Sequence, residues 1–126
     1  MVVLFSITMR EDASVEDEEA ASQEMWKIVS AMPGFISYKA YTASDGETIA
    51  VVRFESSEAL DAWRRQPDHV VTQQRARDEW YSQYWIQACE VVRSRRFTDD
   101  GGYGPIPLEV FRRGAREPVT SAATAD

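Results

Sequence analysis

In PGFISYKAYTASDGETIAVVRFES, residues 33–56, two alternating runs flank a single tight turn. Residues 35–43 alternate apolar and polar side chains, the period of a strand with one buried face. SDGE, residues 44–47, carries Asp45-Gly46, a pair that tolerates the positive φ angles a short hairpin requires. Residues 48–56 then return as a second alternating run. This hairpin anchors the reading of everything around it.

Upstream, MPG at 32–34 closes a helix: proline cannot extend it, and Gly34 permits a left-handed turn. That helix begins near Ser14, which stands to Asp17 as the first residue of a capping box stands to the last. Ala21, Met25, Ile28, Val29 and Met32 form its apolar stripe, and Glu18, Glu19 and Lys27 are expected to face water. VVLFSITM, residues 2–9, reads as the first strand, with Val3, Phe5, Ile7 and Met9 on one side.

Downstream, Ser56 or Ser57 caps a short helix that runs to Gln66 and turns Leu60 and Trp63 inward. Pro67 stops it, and Asp68 is expected to cap a further helix over 69–83, on which His69, Gln73, Ala76 and Trp80 share a face. YWIQACEVVRS, residues 84–94, reads as the fourth strand. The order β-α-β-β-α-β, with its second helix broken at Pro67, predicts an α+β ferredoxin-like fold with a four-stranded antiparallel sheet. Helices cover one face of such a sheet. The strands here carry apolar side chains on both faces, so the bare face is expected to meet a second copy in a sheet-to-sheet homodimer. The domain spans 1–96. Residues 97–126 form an extension in which Tyr103, Ile106, Leu108, Val110 and Phe111 are expected to cross the dimer and close one pocket, with a flexible end from about Glu117.

The whole chain has 126 residues, the size of one domain. Its net charge of −7 argues against nucleic acid as a partner, because that affinity rests on Lys and Arg contacting phosphates. No segment approaches the roughly 20 apolar residues that span a bilayer, and MVVLFSITMRED is too short and too acidic for a secretory leader. With Cys89 as the single cysteine there is no internal disulfide framework, so a reducing, cytoplasmic setting is expected and no membrane association. Cys89 itself reads as a small buried hydrophobe, and one His with one Cys lacks the spacing of a metal site.

Aromatic residues make up 11% of the chain, enough to line a pocket as well as fill a core. The candidate site centres on DAWRRQPDHVV, residues 61–71. There the single histidine, His69, follows Trp63 by six residues, with Pro67 between them. A helix N-terminus disfavours imidazolium while Asp68 favours it; a neutral ring can take a proton from a phenol or carbon acid. Trp63 can offer its ring N–H or a stacking wall, and Arg64 or Arg53 can steady the resulting anion. Tyr38, Tyr41, Phe54 and Trp85 on strands and Trp26 beside the first helix's stripe are candidate substrate contacts. A second reading makes His69 a hydrogen-bonded structural residue and Trp63 part of the core. Trp80 lies 11 residues along the helix from His69, about 16 Å of rise, so one small ligand is not expected to touch both. Trp80, Tyr81 and Tyr84 are assigned to core and interface.

Taken in order, MPGFISYKAYTASDGE (32–47), VVRFESSEALDAWRRQPDH (51–69) and RDEWYSQYWIQACEVVR (77–93) resemble the antibiotic biosynthesis monooxygenase family of dimeric α/β barrels across residues 1–96. The resemblance implies a ferredoxin-like subunit, a sheet-to-sheet dimer and a pocket between sheet and helices. Some members oxygenate polycyclic phenols or anthrones with no metal or flavin; others bind and degrade heme. The oxygenases' helix Asn, the Trp four residues later and the Tyr six beyond it fall on Ala59, Trp63 and His69, so only Trp63 matches. The heme-degrading branch pairs a first-strand Asn with a helix Trp and His; Trp63 and His69 are present, but the chain contains no Asn. The expected function is therefore a cofactor-independent monooxygenase acting with O2 on a small aromatic or polyketide-type metabolite, as in antibiotic biosynthesis. The alternatives are a heme-binding or heme-degrading protein with His69 as ligand, and a non-catalytic metabolite-binding dimer.

Overall fold

A computed structural model describes residues 1–113. In chain order the main elements are β1 (Val2–Met9), α1 (Val15–Ser30), β2 (Phe35–Thr42), β3 (Thr48–Phe54), α2 (Ser57–Arg65), α3 (Pro67–Arg75), a π-helical turn (Ala76–Trp80) and β4 (Tyr81–Cys89). The extension adds β5 (Arg96–Thr98), β6 (Gly102–Gly104) and α4 (Leu108–Arg113). The strands pair antiparallel in the order β2-β3-β1-β4, the α+β ferredoxin-like plan.

The local signals act as their chemistry requires. Ser14 Oγ accepts the Asp17 N–H at 3.2 Å and starts α1, and Ser56 Oγ accepts the Ala59 N–H at 3.1 Å and starts α2. The β2–β3 turn places Gly46 at φ 93°. Gly34 sits at φ 86°, and a Cβ there would come within 2.5 Å of the Ala59 Cβ, so this glycine serves both the turn and the approach of α2. Val3, Val29, Phe35, Phe54 and Leu60 form the buried cluster between sheet and helices. At about 1.5–3 kcal/mol for each fully buried side chain of this kind, the cluster fixes the helix layer on the sheet.

Two boundaries differ from the sequence reading. The helix ends at Trp80 rather than 83, and β4 covers 81–89 rather than 84–94. The cause lies in the β1–α1 loop. The Arg10 N–H donates to the Trp80 carbonyl at 2.7 Å, and the Arg10 Nε donates to the Tyr81 carbonyl at 3.1 Å. Its guanidinium also takes the Arg77 carbonyl. These donors satisfy carbonyls that a continuing helix would use. The last turn widens so that the Tyr81 N–H bonds back to the Ala76 carbonyl, and Tyr81 swings directly into register with Met9.

Strand pairing sorts the side chains by face. Val3, Phe5, Tyr38 and Val52 lie under the helices, while Leu4, Val51, Arg53 and Tyr41 lie on the open face. One end of the extension packs on its own chain. The Arg53 guanidinium stacks 4.1 Å from the Phe111 ring, and Arg112 reaches the Phe35 carbonyl and the Glu55 carboxylate, each at 3.2 Å. α4 therefore lies against β2 of the same chain. The flexible end expected from about Glu117 lies outside the described residues. Among the described residues, no helix is long and apolar enough to cross a membrane, and no three His, Cys, Asp or Glu side chains gather as a metal site.

Candidate functional site

Between the helix layer and the sheet lies a cavity of about 510 Å³. Phe5, Tyr38 and Phe54 form part of its floor, α1 contributes Met25 and Trp26, and the elbow between α2 and α3 closes one side. Half-exposed Ile86 of β4 also lines it.

Proline chemistry builds the elbow. Pro67 pushes the preceding residue out of helical space, and Gln66 accordingly holds φ −61° and ψ 126°. α2 ends at Arg65, and Pro67 itself opens α3, where its missing N–H costs nothing. The cap is Gln66 rather than the expected Asp68. The Gln66 side-chain oxygen accepts the His69 N–H at 2.7 Å, and its amide nitrogen donates to Asp68 at 3.2 Å. The break frees the Trp63 carbonyl, which accepts the Gln66 N–H at 3.2 Å and lies 2.8 Å from His69 Nδ1. A carbonyl can only accept, so Nδ1 carries the proton, and in the neutral ring Nε2 keeps its lone pair. The two rings stack with centroids 3.8 Å apart and planes 12° from parallel. Burial lowers the His69 pKa below its ordinary value of 6.5, and the hydrogen bond to Trp63 opposes that more weakly. The ring is thus neutral near pH 7. His69 is at once hydrogen-bonded by the fold and part of the cavity wall.

Glu18 sits on the same wall and is 2% exposed, where the sequence reading turns it to water. It lies three residues before Ala21, seven before Met25 and eleven before Val29, so the apolar stripe's own period includes it. That periodicity was a readable signal, masked by the surrounding acidic run. Its Oε2 accepts the Tyr81 hydroxyl at 2.6 Å and the Ser22 hydroxyl at 3.3 Å, and Oε1 has no partner among the described residues. Burial first, and then the neighbouring Glu18, push the Tyr81 pKa well above the ordinary tyrosine range, so Tyr81 stays a donor.

Of the sequence-predicted site residues, His69, Trp63, Arg64, Trp26, Tyr38 and Phe54 meet in this cavity. Arg64 stands at its edge in an exposed ion pair with Asp61 at 3.0 Å. Tyr41 and Trp85 lie outside it, on the open face, 50% and 40% exposed. Arg53 is on that face too, against Phe111. Ala59, at the position of the oxygenases' Asn, packs toward Gly34 and is not part of the wall. Trp80, buried as expected, and Tyr81 also line the cavity with His69, so the cavity extends over the separation that the helix rise gives.

Comparison with known proteins places the chain in context. A family model described as antibiotic biosynthesis monooxygenase matches residues 1–75. The uncharacterized protein YqjZ of Bacillus subtilis is 28% identical over 98 residues, covering 78% of this chain and 84% of that one. The solved structure of Rv0793 from Mycobacterium tuberculosis superposes with a TM-score of 0.57 at 24% identity, covering 74% of this chain and 97% of that one. SO0527 from Shewanella oneidensis superposes at 0.58 with 17% identity, covering 68% and 84%. At these identities the two structures speak for the fold alone.

Proposed function

The chain belongs to the antibiotic biosynthesis monooxygenase family, and from that membership we propose that it is a cofactor-independent monooxygenase of small aromatic, polyketide-type metabolites. The observation that carries this reading is His69: a desolvated imidazole, stacked on Trp63, its Nδ1 proton committed to a carbonyl and its Nε2 lone pair available on an apolar wall. Nε2 takes a proton from the activated carbon or hydroxyl of an anthrone-like substrate. The anion passes one electron to O2, and the radical pair joins to a peroxide anion. The His69 imidazolium returns the proton. Loss of water from the hydroperoxide leaves a ketone, so one O2 converts one CH2 into C=O and H2O. Dry aromatic walls favour this sequence because the anion meets no competing solvent. The test is oxygen uptake with anthrone, expected at one O2 per quinone formed; no uptake above the uncatalysed rate with anthrones and polycyclic phenols refutes it.

The residues around the cavity do not suit heme. Its two propionates would meet a single basic side chain, Arg64, already paired with Asp61. A hemin titration is expected to give no saturable Soret shift; a shift at one heme per chain, abolished in His69→Ala, would instead make His69 an iron ligand.

The proposal includes a homodimer through the open face, supported by Tyr41 and Trp85, which expose aromatic rings beside the apolar Leu4 and Val51. Sedimentation is expected to give a dimer and Trp85→Glu a monomer, since a desolvated charge would sit in the interface. A wild-type monomer would remove this part of the reading.

A further inference from the structure

We infer that the β5–β6 hairpin is an arm that docks on a second copy of this chain and seats the Phe97–Tyr103 ring pair there. This rests on the homodimer reading above and deepens it: the open faces meet, and each copy also holds the other through its arm.

β5 and β6 pair with one another as a two-stranded sheet apart from the main one. A lone hairpin of that kind is marginal in water unless its apolar face is covered. Phe97 and Tyr103 stand directly opposite across the strands, so their rings share a face, and they are 69% and 73% exposed. The hairpin is anchored at both ends by its own chain. β4 ends at Cys89 beside Val2 on one edge of the main sheet, and α4 lies against β2 at the other edge. Crossing the sheet from edge to edge takes about 14 Å. The link over 90–107 is long enough to reach several times as far, and the surplus is folded into the arm. Phe111 of α4 packs on Arg53, so the extension borders the open face that carries Leu4, Tyr41, Val51 and Trp85. The exposed rings of the arm continue that surface.

Area and charge both point to a second copy. At about 150–250 Å² for each buried aromatic side chain, the exposed parts of Phe97 and Tyr103 offer about 200–350 Å² per copy, more than Tyr41 and Trp85 offer from the sheet. Both ring pairs from two copies approach the roughly 1,200 Å² at the low end of a stable interface, and the sheet's rings alone fall far short of it. The stem of the arm carries Arg93, Arg95 and Arg96, none of which meets a carboxylate among the described residues, while the chain as a whole has a net charge of −7. A second copy supplies the carboxylates that the stem lacks on its own chain.

The test is hydrogen–deuterium exchange of the full chain over a dilution series, read beside sedimentation equilibrium of the same samples. The amides of 96–104 are expected to be protected in the dimer and to exchange at least about tenfold faster as dilution produces monomer. Phe97→Ser combined with Tyr103→Ser should raise the dimer dissociation constant at least about hundredfold, since each arm loses both of its anchoring rings. Both side chains are exposed, so the monomer's fold should not change; if the variant fails to fold, the exchange of the wild type decides alone. Protection of 96–104 that is the same at every concentration puts the arm on its own chain and overturns this inference. Fast exchange there in a sample that sediments as a dimer overturns it too, as does a double variant that dimerises like the wild type; either result leaves the open-face dimer standing. A wild-type monomer throughout the series removes the homodimer reading and this inference with it.

Discussion

Under the proposed function, His69→Ala is expected to lower oxygen uptake with anthrone by about 10²–10⁴-fold, the contribution of a positioned general base. The fold and the affinity for a non-reacting aromatic probe are expected to stay near wild type. The fold-retention half follows from where the ring sits. His69 Nδ1 is one of two groups meeting the Trp63 carbonyl, and the Gln66 N–H remains to satisfy that oxygen. The cap of α3 uses the His69 backbone N–H, which alanine keeps. The catalytic half follows from Nε2, which no other wall residue replaces as a neutral base. The pH dependence carries a sign. His69 titrates below 6.5, so the rate should be flat through neutrality and fall only at more acidic pH, as the ring becomes protonated. Stability follows the same direction. The unfolded ring gains its proton near 6.5 and the folded ring only at lower pH, so the unfolded state binds more protons between the two values. Stability is therefore lost as pH falls through that window. Wild-type uptake in His69→Ala would refute the assignment. A loss of uptake matched by a loss of folded protein would make the residue structural.

Trp80→Ala is expected to cost about 3–5 kcal/mol of stability, the range for removing a large buried aromatic. Urea unfolding should show it as a lower midpoint at unchanged slope. Trp80 is 2% exposed, lines the cavity and ends the π-helical turn, with the Arg75 guanidinium 4.8 Å from its ring. Its carbonyl is also held by the Arg10 N–H, a backbone bond that alanine preserves. The loss should therefore come from the void rather than from the turn. Trp63→Ala makes the contrast: Trp63 is only partly buried and its carbonyl contacts survive, so its cost in stability should be smaller. Similar midpoints for the two variants would argue that Trp80 is not the better-packed ring.

Both predictions depend on features of different legibility. The Pro67 break, the hairpin at Asp45-Gly46 and the Ser14 and Ser56 caps are visible in sequence, because each is decided by φ, ψ and hydrogen bonds within about four residues. From these the ferredoxin-like order follows. Trp63 and His69 could be put at one corner on the same grounds. Tyr38 and Tyr41 are three apart on a strand and must face opposite ways. With apolar residues on both faces, though, alternation alone did not say which of them lies under the helices.

Only the tertiary structure decided the rest. The end of the helix at Trp80 depends on Arg10, remote in sequence, whose donors arrive there because β1 and β4 pair. The inward turn of Glu18 depends on Tyr81, brought to it by the same register. The stripe's period admits Glu18, but a carboxyl is buried only where a donor waits for it, and that donor lies 63 residues away. Sequence by itself determined the order of elements and the corner that carries His69, since those are short-range matters. The opposite end of the cavity, its length and its polar point at Glu18 come from contacts between distant segments, which local chemistry does not encode.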